Sequence, residues 1–341
     1  MSSPFVSSPD VCRADSDLDA VVAAAQRGDQ TAFGSLVQAH RRELQVHCYR
    51  MLGSLADAED LVQETFLRAW RRRETYAGRS TFRAWLYRIA TNACLDHLQR
   101  HPRQAVPRAD GSPGEVSWLQ PYPDQLLAPT DDEPDSVVVA RETIELAFLV
   151  AVQHLPPRQR AVLLLRDVLG WPAGETAELL EVSVASANSS LQRARATLRE
   201  NLPPERADWA PATEPTEQER AVLQRFMDAS ERADMAELAA LLREDALFTM
   251  PPNPEWYRGR DVLIEAWTPV MAGPQAWGEF RCVAVAANRL PALANYLRRT
   301  GDTEFRAMSL DVLRVEDGLI AEITTFGPDL FGRFGLPDVL D

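Results

Sequence analysis

Three groups of side chains in this chain have the residue types and spacing that recognition of nucleic acid or protein requires. Between Ala185 and Arg199, Ser186, Asn188, Ser189, Gln192, Arg193 and Arg195 lie opposite Ala187, Leu191, Ala194 and Leu198 on a helical repeat. Small, hydrogen-bonding side chains near a helix N-terminus suit base edges in a major groove, and arginines suit phosphate or guanine. A plain helical hairpin with a solvated face would show the same pattern. A second group interleaves arginines 71, 72, 73, 79, 83 and 88 with Tyr76, Phe82, Trp85 and Tyr87. Cations for phosphates and flat rings for unstacked bases are what single-stranded DNA binding needs. The spacing of Phe82 and Trp85 also fits an ordinary core, which leaves Arg72, Tyr76, Arg79, Arg83, Tyr87, Arg88 and Asn92 as candidates. The third group, Asp57, Asp60, Gln63, Glu64 and Leu67, shares the outward side of a helix whose inward side is apolar. A solvated acidic face explains the carboxylates, whereas an outward leucine points to a protein partner.

These groups need elements to hold them. The apolar stripes Phe33–Leu44, Ala58–Trp70 and Phe82–Ala93 predict three amphipathic helices around one core, with Asp57 and Ser80 as N-caps. Residues 101–135 are rich in Pro, Gly and acids without periodicity, which reads as a linker. Residues 136–200 read as helices ending in a helix-turn-helix, and 201–215 as a second, short linker. From 216 to 330 two helices precede strand-like runs, with a hairpin signal at Asp317–Gly318; this is an α+β segment with a curved antiparallel sheet, followed by a tail at 331–341.

Composition bounds the function. The formal net charge is −14, yet 68–103 carries nine arginines against two acids, while 104–140 has net −6 and 204–341 net −10. Because charge acts within about a Debye length, roughly 8 Å at physiological salt, the overall acidity does not exclude a DNA reader. Cysteines 12, 48, 94 and 282 form no CxxC pair and support neither a zinc site nor a disulfide framework. No metal and no cofactor is expected. No apolar run reaches the ~18 residues of a membrane span, and the N-terminus lacks a signal-peptide pattern, so a cytoplasmic protein without membrane contact is expected.

In order along the chain, DAEDLVQETFLRAW, FRAWLYRIATNACLDHLQR and LPPRQRAVLLLRDVLGWPAGETAELLEVSVASANSSLQRARATLR resemble regions 2 and 4 of extracytoplasmic-function sigma factors of the sigma-70 family, over about residues 20–200. The resemblance implies a region 2 bundle at 17–100 and a region 4 helix-turn-helix at 136–200. It implies that Asp57, Asp60, Gln63 and Glu64, with Leu61 and Leu67, dock on the β′ clamp helices of core RNA polymerase, while region 4 meets the β flap. By the same resemblance, Arg72, Tyr76, Arg79, Arg83, Tyr87, Arg88 and Asn92 capture a flipped base of the promoter −10 element. Ser186, Asn188, Ser189, Gln192, Arg193 and Arg195 read the −35 duplex. The acidic linker matches the connector that threads toward the polymerase active site. One departure is the run Ala187–Ser190, which lacks an early Lys or Arg and implies weak binding of free DNA.

The segment from FMDASERADMAELAALLREDALFTM onward is similar to SnoaL-like domains of the cone-shaped fold. The expected architecture is therefore two all-α helical domains followed by an α+β cone domain. Sigma factors with such a tail form recognised subgroups in which the tail is thought to regulate the factor through intramolecular contact. Phe248, Met250, Trp256, Tyr257, Trp267, Tyr296 and Phe326 could line a pocket, with Asp311 or Arg306 as its polar groups; the alternative is an ordinary aromatic core. No histidine follows His154, which excludes a His-based acid–base pair there. No catalytic residue is assigned. A SnoaL-like enzyme or ligand sensor targeted to DNA, and a stand-alone repressor, remain the alternatives to a sigma factor.

Overall fold

The computed structural model describes residues 19–78, 80–103, 105, 116–127, 145–201 and 214–341. After a helical stretch at 19–26, three helices form the first bundle: α1 (Gln30–Leu52), α2 (Leu55–Arg71) and α3 (Phe82–Arg100). Asp29 caps α1 by accepting from the amides of Thr31 and Ala32, and Gly53 ends it in the left-handed region at φ 70°. The cap of α2 is Ser54, not the expected Asp57, and the cap of α3 is Thr81, not Ser80. Several cap-competent residues adjoin each start; full burial of Leu55 draws α2 one turn earlier and leaves Asp57 in its first turn, where a carboxylate opposes the helix dipole favourably.

The second helical unit contains α4 (Leu146–Gln153), α5 (Pro157–Leu163), which runs into a π-helical turn at Leu164–Val168, α6 (Ala173–Leu179) and α7 (Val184–Asn201). Ala187, Leu191, Ala194 and Leu198 are the buried side of α7, as their spacing predicts. Arg160 on α5 is wholly buried without a carboxylate. Its guanidinium donates instead to the carbonyls of Met51, Gln153 (3.0 Å) and Leu155 (3.1 Å) and to Gln153 Oε1 (2.6 Å), which fastens the second unit to the end of α1.

The last unit begins with α8 (Glu217–Glu231), whose Thr216–Glu219 capping box is complete, and α9 (Met235–Leu241). Then follow β1 (Leu242–Met250), β2 (Asn253–Arg258), α10 (Arg260–Met271), β3 (Gly278–Ala287), β4 (Leu290–Arg299), β5 (Phe305–Glu316), β6 (Leu319–Phe326) and the short β7 (Val339–Leu340). The sheet order is β2-β1-β6-β5-β4-β3, with β7 added on β5; β1 and β6 are parallel and the other pairs antiparallel. Two elements differ from expectation. The run FRCVAVAANRL is divided by a two-residue hairpin turn in which Asn288 and Arg289 both take positive φ, 57° and 61°. The segment 331–341 folds back, burying Phe331 and Phe334 and supplying β7.

Strands β3, β4, β5 and β6 face two cores. On one side Leu293, Leu313, Val315, Ile320 and Ile323 pack under α8, α9 and α10. On the other, Ala292, Ala294, Tyr296, Leu310 and Val312 join a single apolar cluster with the helices of both preceding units. Between them runs 116–127, within the stretch that composition reads as linker. Val116, Leu119, Tyr122 and Leu127 are buried in the same cluster. A Pro-rich composition removes helical periodicity without removing apolar side chains, and four of them suffice here to seat the segment.

Candidate nucleic-acid interface and the cavity of the sheet domain

On α2, Asp60, Gln63 and Leu67 lie on the exposed side at helical spacing, and Leu67 is 51% exposed. Glu64 is half-buried and accepts from Arg68 Nε at 2.7 Å. Asp57 is half-buried and bonded by Arg103 at 2.6 Å. Burial opposes its ionisation, but the Ser54 and Arg103 bonds and the Arg103 charge hold its carboxyl below the usual range. Leu61 is buried, because its position belongs to the inward stripe that closes the bundle. One neighbour was not foreseen: Glu59 is paired with Arg333, from the last segment of the chain.

The basic aromatic group is partly brought together. Tyr76 packs edge-on against Phe82 and beside Trp85, and its hydroxyl donates to the Ser80 carbonyl at 2.8 Å. Arg72 is exposed, Arg88 and Asn92 are half-buried, and Arg79 lies outside the described residues. Tyr87 is fully buried and thus no exposed stacking platform: its hydroxyl donates to Glu43 at 3.2 Å and its ring packs on Trp171 of the second helical unit. Arg83 Nε binds the same carboxylate at 2.6 Å. Burial works against the Glu43 charge, but the His40 bond at 2.6 Å and the Arg83 cation hold its carboxyl below the ordinary value. Arg88 donates to the Glu178 carbonyl of α6 at 2.8 Å. The outer side of α3 is thus turned toward the second unit.

On α7, Ser186, Asn188, Ser189, Gln192, Arg193 and Arg195 are all exposed on one side. Arg193 is braced by Ser189 Oγ at 2.7 Å, and Arg195 makes a bidentate pair with Asp167 at 2.7 and 2.8 Å. A second bond from Arg193, to Ser190 Oγ at 3.2 Å, is also neutral, so Arg193 can turn to a phosphate or base by exchanging two neutral bonds, whereas Arg195 must first leave a carboxylate.

The buried segment 116–127 holds the units together. Toward α1 and α2, Gln120 donates its amide to the Gly53 carbonyl at 3.0 Å, its Oε1 accepts from the Ala56 amide at 3.0 Å, and its carbonyl accepts from Tyr49 Oη at 2.7 Å. Toward the sheet, the Tyr122 amide donates to Asn288 Oδ1 at 2.7 Å and the Asn288 amide donates to the Tyr122 carbonyl at 2.9 Å. Asn288 Nδ2 reaches Tyr49 Oη at 2.9 Å, and the Arg289 amide donates to Asp124 at 2.9 Å. Burial nevertheless pushes the Asp124 carboxyl up to about 6. No sequence pattern marks this strap; the hairpin turn at Asn288–Arg289 is the one local signal, because Asn tolerates positive φ.

A cavity of about 390 Å³ opens between the sheet and α10. Of the expected lining, Phe248, Met250, Tyr257 and Trp267 face it; Trp256, Tyr296 and Phe326 do not. Successive strand residues point to opposite faces, and each of the three adjoins a residue that does line the cavity: Tyr257, Asn295 and Thr325. Tyr296 instead packs on Phe331 and donates its hydroxyl to the Pro337 carbonyl at 2.9 Å. Arg306 is exposed beside Glu304, away from the cavity, whereas Asp311 faces it. Among the described residues no His/Cys/Asp/Glu group could hold a metal, and no helix is long and apolar enough to cross a membrane.

Comparison with known proteins agrees with this arrangement. The family models Sigma-70 region 2, Sigma-70, region 4 and SnoaL-like domain match residues 36–104, 145–198 and 223–323. The ECF RNA polymerase sigma factor SigG of Mycobacterium tuberculosis is 41% identical over 334 residues, covering 92% of this chain and 86% of the relative. SigJ of the same organism is 33% identical over 306 residues, covering 86% of this chain and 91% of the relative. The crystal structure of M. tuberculosis SigJ superposes with TM-score 0.57 at 25% identity, covering 89% of this chain and 99% of that one. With two sigma regions in order, a sheet domain behind them and relatives matched along nearly their whole length, this chain belongs to the ECF RNA polymerase sigma factors and carries a C-terminal SnoaL-like domain.

Proposed function

We propose that this sigma factor directs core RNA polymerase to promoters, and that its SnoaL-like domain holds it closed until polymerase or a signal releases it. The division is region 2 at 17–100, a connector at 101–135, region 4 at 136–200, a linker at 201–215, the SnoaL-like domain at 216–330 and a closing tail at 331–341. Asp57, Asp60, Gln63, Glu64 and Leu67 are the clamp-helix contact, with Leu61 beneath them as support. Arg72, Tyr76, Arg79, Arg83, Arg88 and Asn92 take the −10 strand, Tyr87 positioning Arg83 from within. Ser186, Asn188, Ser189, Gln192, Arg193 and Arg195 read the −35 duplex.

The observation that carries the closed state is the buried strap. The connector that must leave this molecule to follow polymerase is hydrogen-bonded on one side to region 2 and on the other to the β3–β4 hairpin. Region 4 covers part of the −10 helix through Arg88–Glu178 and Tyr87–Trp171. Run-off transcription with core polymerase on a promoter selected from a random library tests the function: a discrete start dependent on this chain is expected. Failure on every selected template would contradict it. An enzymatic reading has one observation in its favour, the Asp311 carboxyl in the cavity, but both its oxygens already accept bonds, from Asn295 and Thr325.

A further inference from the structure

The cavity of the SnoaL-like domain has one chemical asymmetry that the promoter-reading function leaves unused. Its walls are aromatic and aliphatic: Phe226, Phe248, Trp267 and Phe280 bound it, with Met250 and Met308 among the lining. Its volume of about 390 Å³ falls within the range of small-molecule sites, roughly 300–1,000 Å³. At one end sits a polar cluster on neighbouring strands. Asp311 on β5 is 9% exposed and Asn295 on β4 is 6% exposed. Asn295 Nδ2 donates to Asp311 Oδ2 at 2.7 Å and lies 3.0 Å from Ser309 Oγ, while Thr325 Oγ1 donates to Asp311 Oδ1 at 2.7 Å.

A carboxylate offers four acceptor positions, and with bonds from Asn295, Thr325 and Ser309 Asp311 retains one of them. Placing a carboxyl in an apolar cavity is costly, and burial raises this one to about 6 even against three hydrogen bonds. The neighbouring groups hold it fixed without neutralising it: no Arg or Lys lines the cavity, and Asp311 is the only ionisable carboxyl among the lining residues. Such a site rejects anions, since a second negative charge would sit beside Asp311 with no cation to share. It gains most from a molecule that is apolar over most of its surface and donates one hydrogen bond at one end. Flat walls of Phe and Trp favour flat rings, and unbranched methionines adapt to their outline.

We propose that this cavity is a binding site for a flat, apolar, uncharged small molecule carrying a hydroxyl that donates to Asp311. The site stands apart from the promoter-recognition reading, because binding is measured on the full chain without polymerase or DNA and can fail while run-off transcription succeeds, or the reverse. The probes are 2-naphthol, 2-methoxynaphthalene, which keeps the rings and loses the donor, and 2-naphthoate, which replaces the donor with an anion. Titration calorimetry on the full chain should show saturable 1:1 binding of 2-naphthol, at least tenfold weaker binding of the methyl ether, and none of the carboxylate. The Asp311→Ala chain should lose the discrimination between the first two while still binding both. Ala266→Trp, a change on α10 that fills the cavity from its helical side, should abolish binding of 2-naphthol and of its methyl ether while the chain keeps its thermal unfolding transition. Absence of saturable 2-naphthol binding, equal binding of all three probes, or undiminished binding to the folded Ala266→Trp chain would each overturn the proposal.

Discussion

Two buried ionisable side chains illustrate how much single residues decide here. Arg160 has four oxygen partners and no countercharge, and burial lowers its guanidinium to about 9. Replacing it with Met would keep the volume but leave the carbonyls of Met51, Gln153 and Leu155 without donors. A loss of about 3–5 kcal/mol is expected in urea unfolding, and a change below about 1 kcal/mol would contradict the bridging role given to it. Asp311 acts in the opposite direction. Its carboxyl, held up at about 6 against an ordinary 3.8, binds a proton more tightly in the folded chain than in the unfolded one. Its contribution to stability is therefore full below about pH 4 and is lost as pH rises through about 6. Asp124, raised to about 6 in the same way, adds a slope of the same sign, so the informative quantity is the difference between wild type and Asp311→Asn. Between pH 4 and 7.5 that difference should move in favour of the variant by about 2–3 kcal/mol; a pH-independent difference would show that Asp311 does not titrate in the fold.

Among the elements, the helices that carry recognition were the most legible. The alternation of Ala187, Leu191, Ala194 and Leu198 with polar residues predicted which side of α7 is free, and the structure leaves that side exposed. The inward stripe of α2, Leu61 included, was equally plain, yet Tyr87 on α3 shows the limit of periodicity, which places a residue on a helix without telling which other element arrives to cover it. For Tyr87 that element is the region around Trp171, distant in sequence. In the sheet the aromatic content was read correctly and its sidedness was not, so Trp256, Tyr296 and Phe326 were assigned to the wrong face; counting by two from Asp311 would have chosen Ser309 in their place. If α7 reads the −35 element, Gln192→Ala and Arg193→Ala should reduce run-off transcription several-fold each and alter the sequence selected at that element. Replacing Arg199, near the end of α7, should weaken binding alike on all templates. A selected sequence identical to wild type with Gln192→Ala would count against base contact by that side chain.

At the scale of the whole molecule, the sequence separated three folded units correctly in kind but treated the chain between them as spacer. Its Pro, Gly and acids show no periodicity, and nothing local shows that Tyr122 and Gln120 find their partners some 165 and 65 residues away, at Asn288 and at Gly53–Ala56. Long-range satisfaction of backbone groups leaves no periodic trace. It is nevertheless what joins the SnoaL-like sheet to region 2, assisted by the pair of Arg333 with Glu59 on α2. The charge distribution also explains how an acidic chain contains a DNA reader: the negative charge resides mainly in 104–140 and 204–341, outside the arginine-rich run 68–103.

The closed arrangement is tested most directly at Asn288, which bonds both Tyr122 and Tyr49 and is not itself one of the proposed DNA or polymerase contacts. Glycine there retains the positive φ of the hairpin turn and removes only the side-chain bonds. Run-off transcription by core polymerase with the full-length Asn288→Gly chain, at sub-saturating sigma, should exceed wild type several-fold, corresponding to about 1–2 kcal/mol of lost closure. Equal or lower transcription from a folded Asn288→Gly chain would contradict a SnoaL-like domain that holds the factor closed.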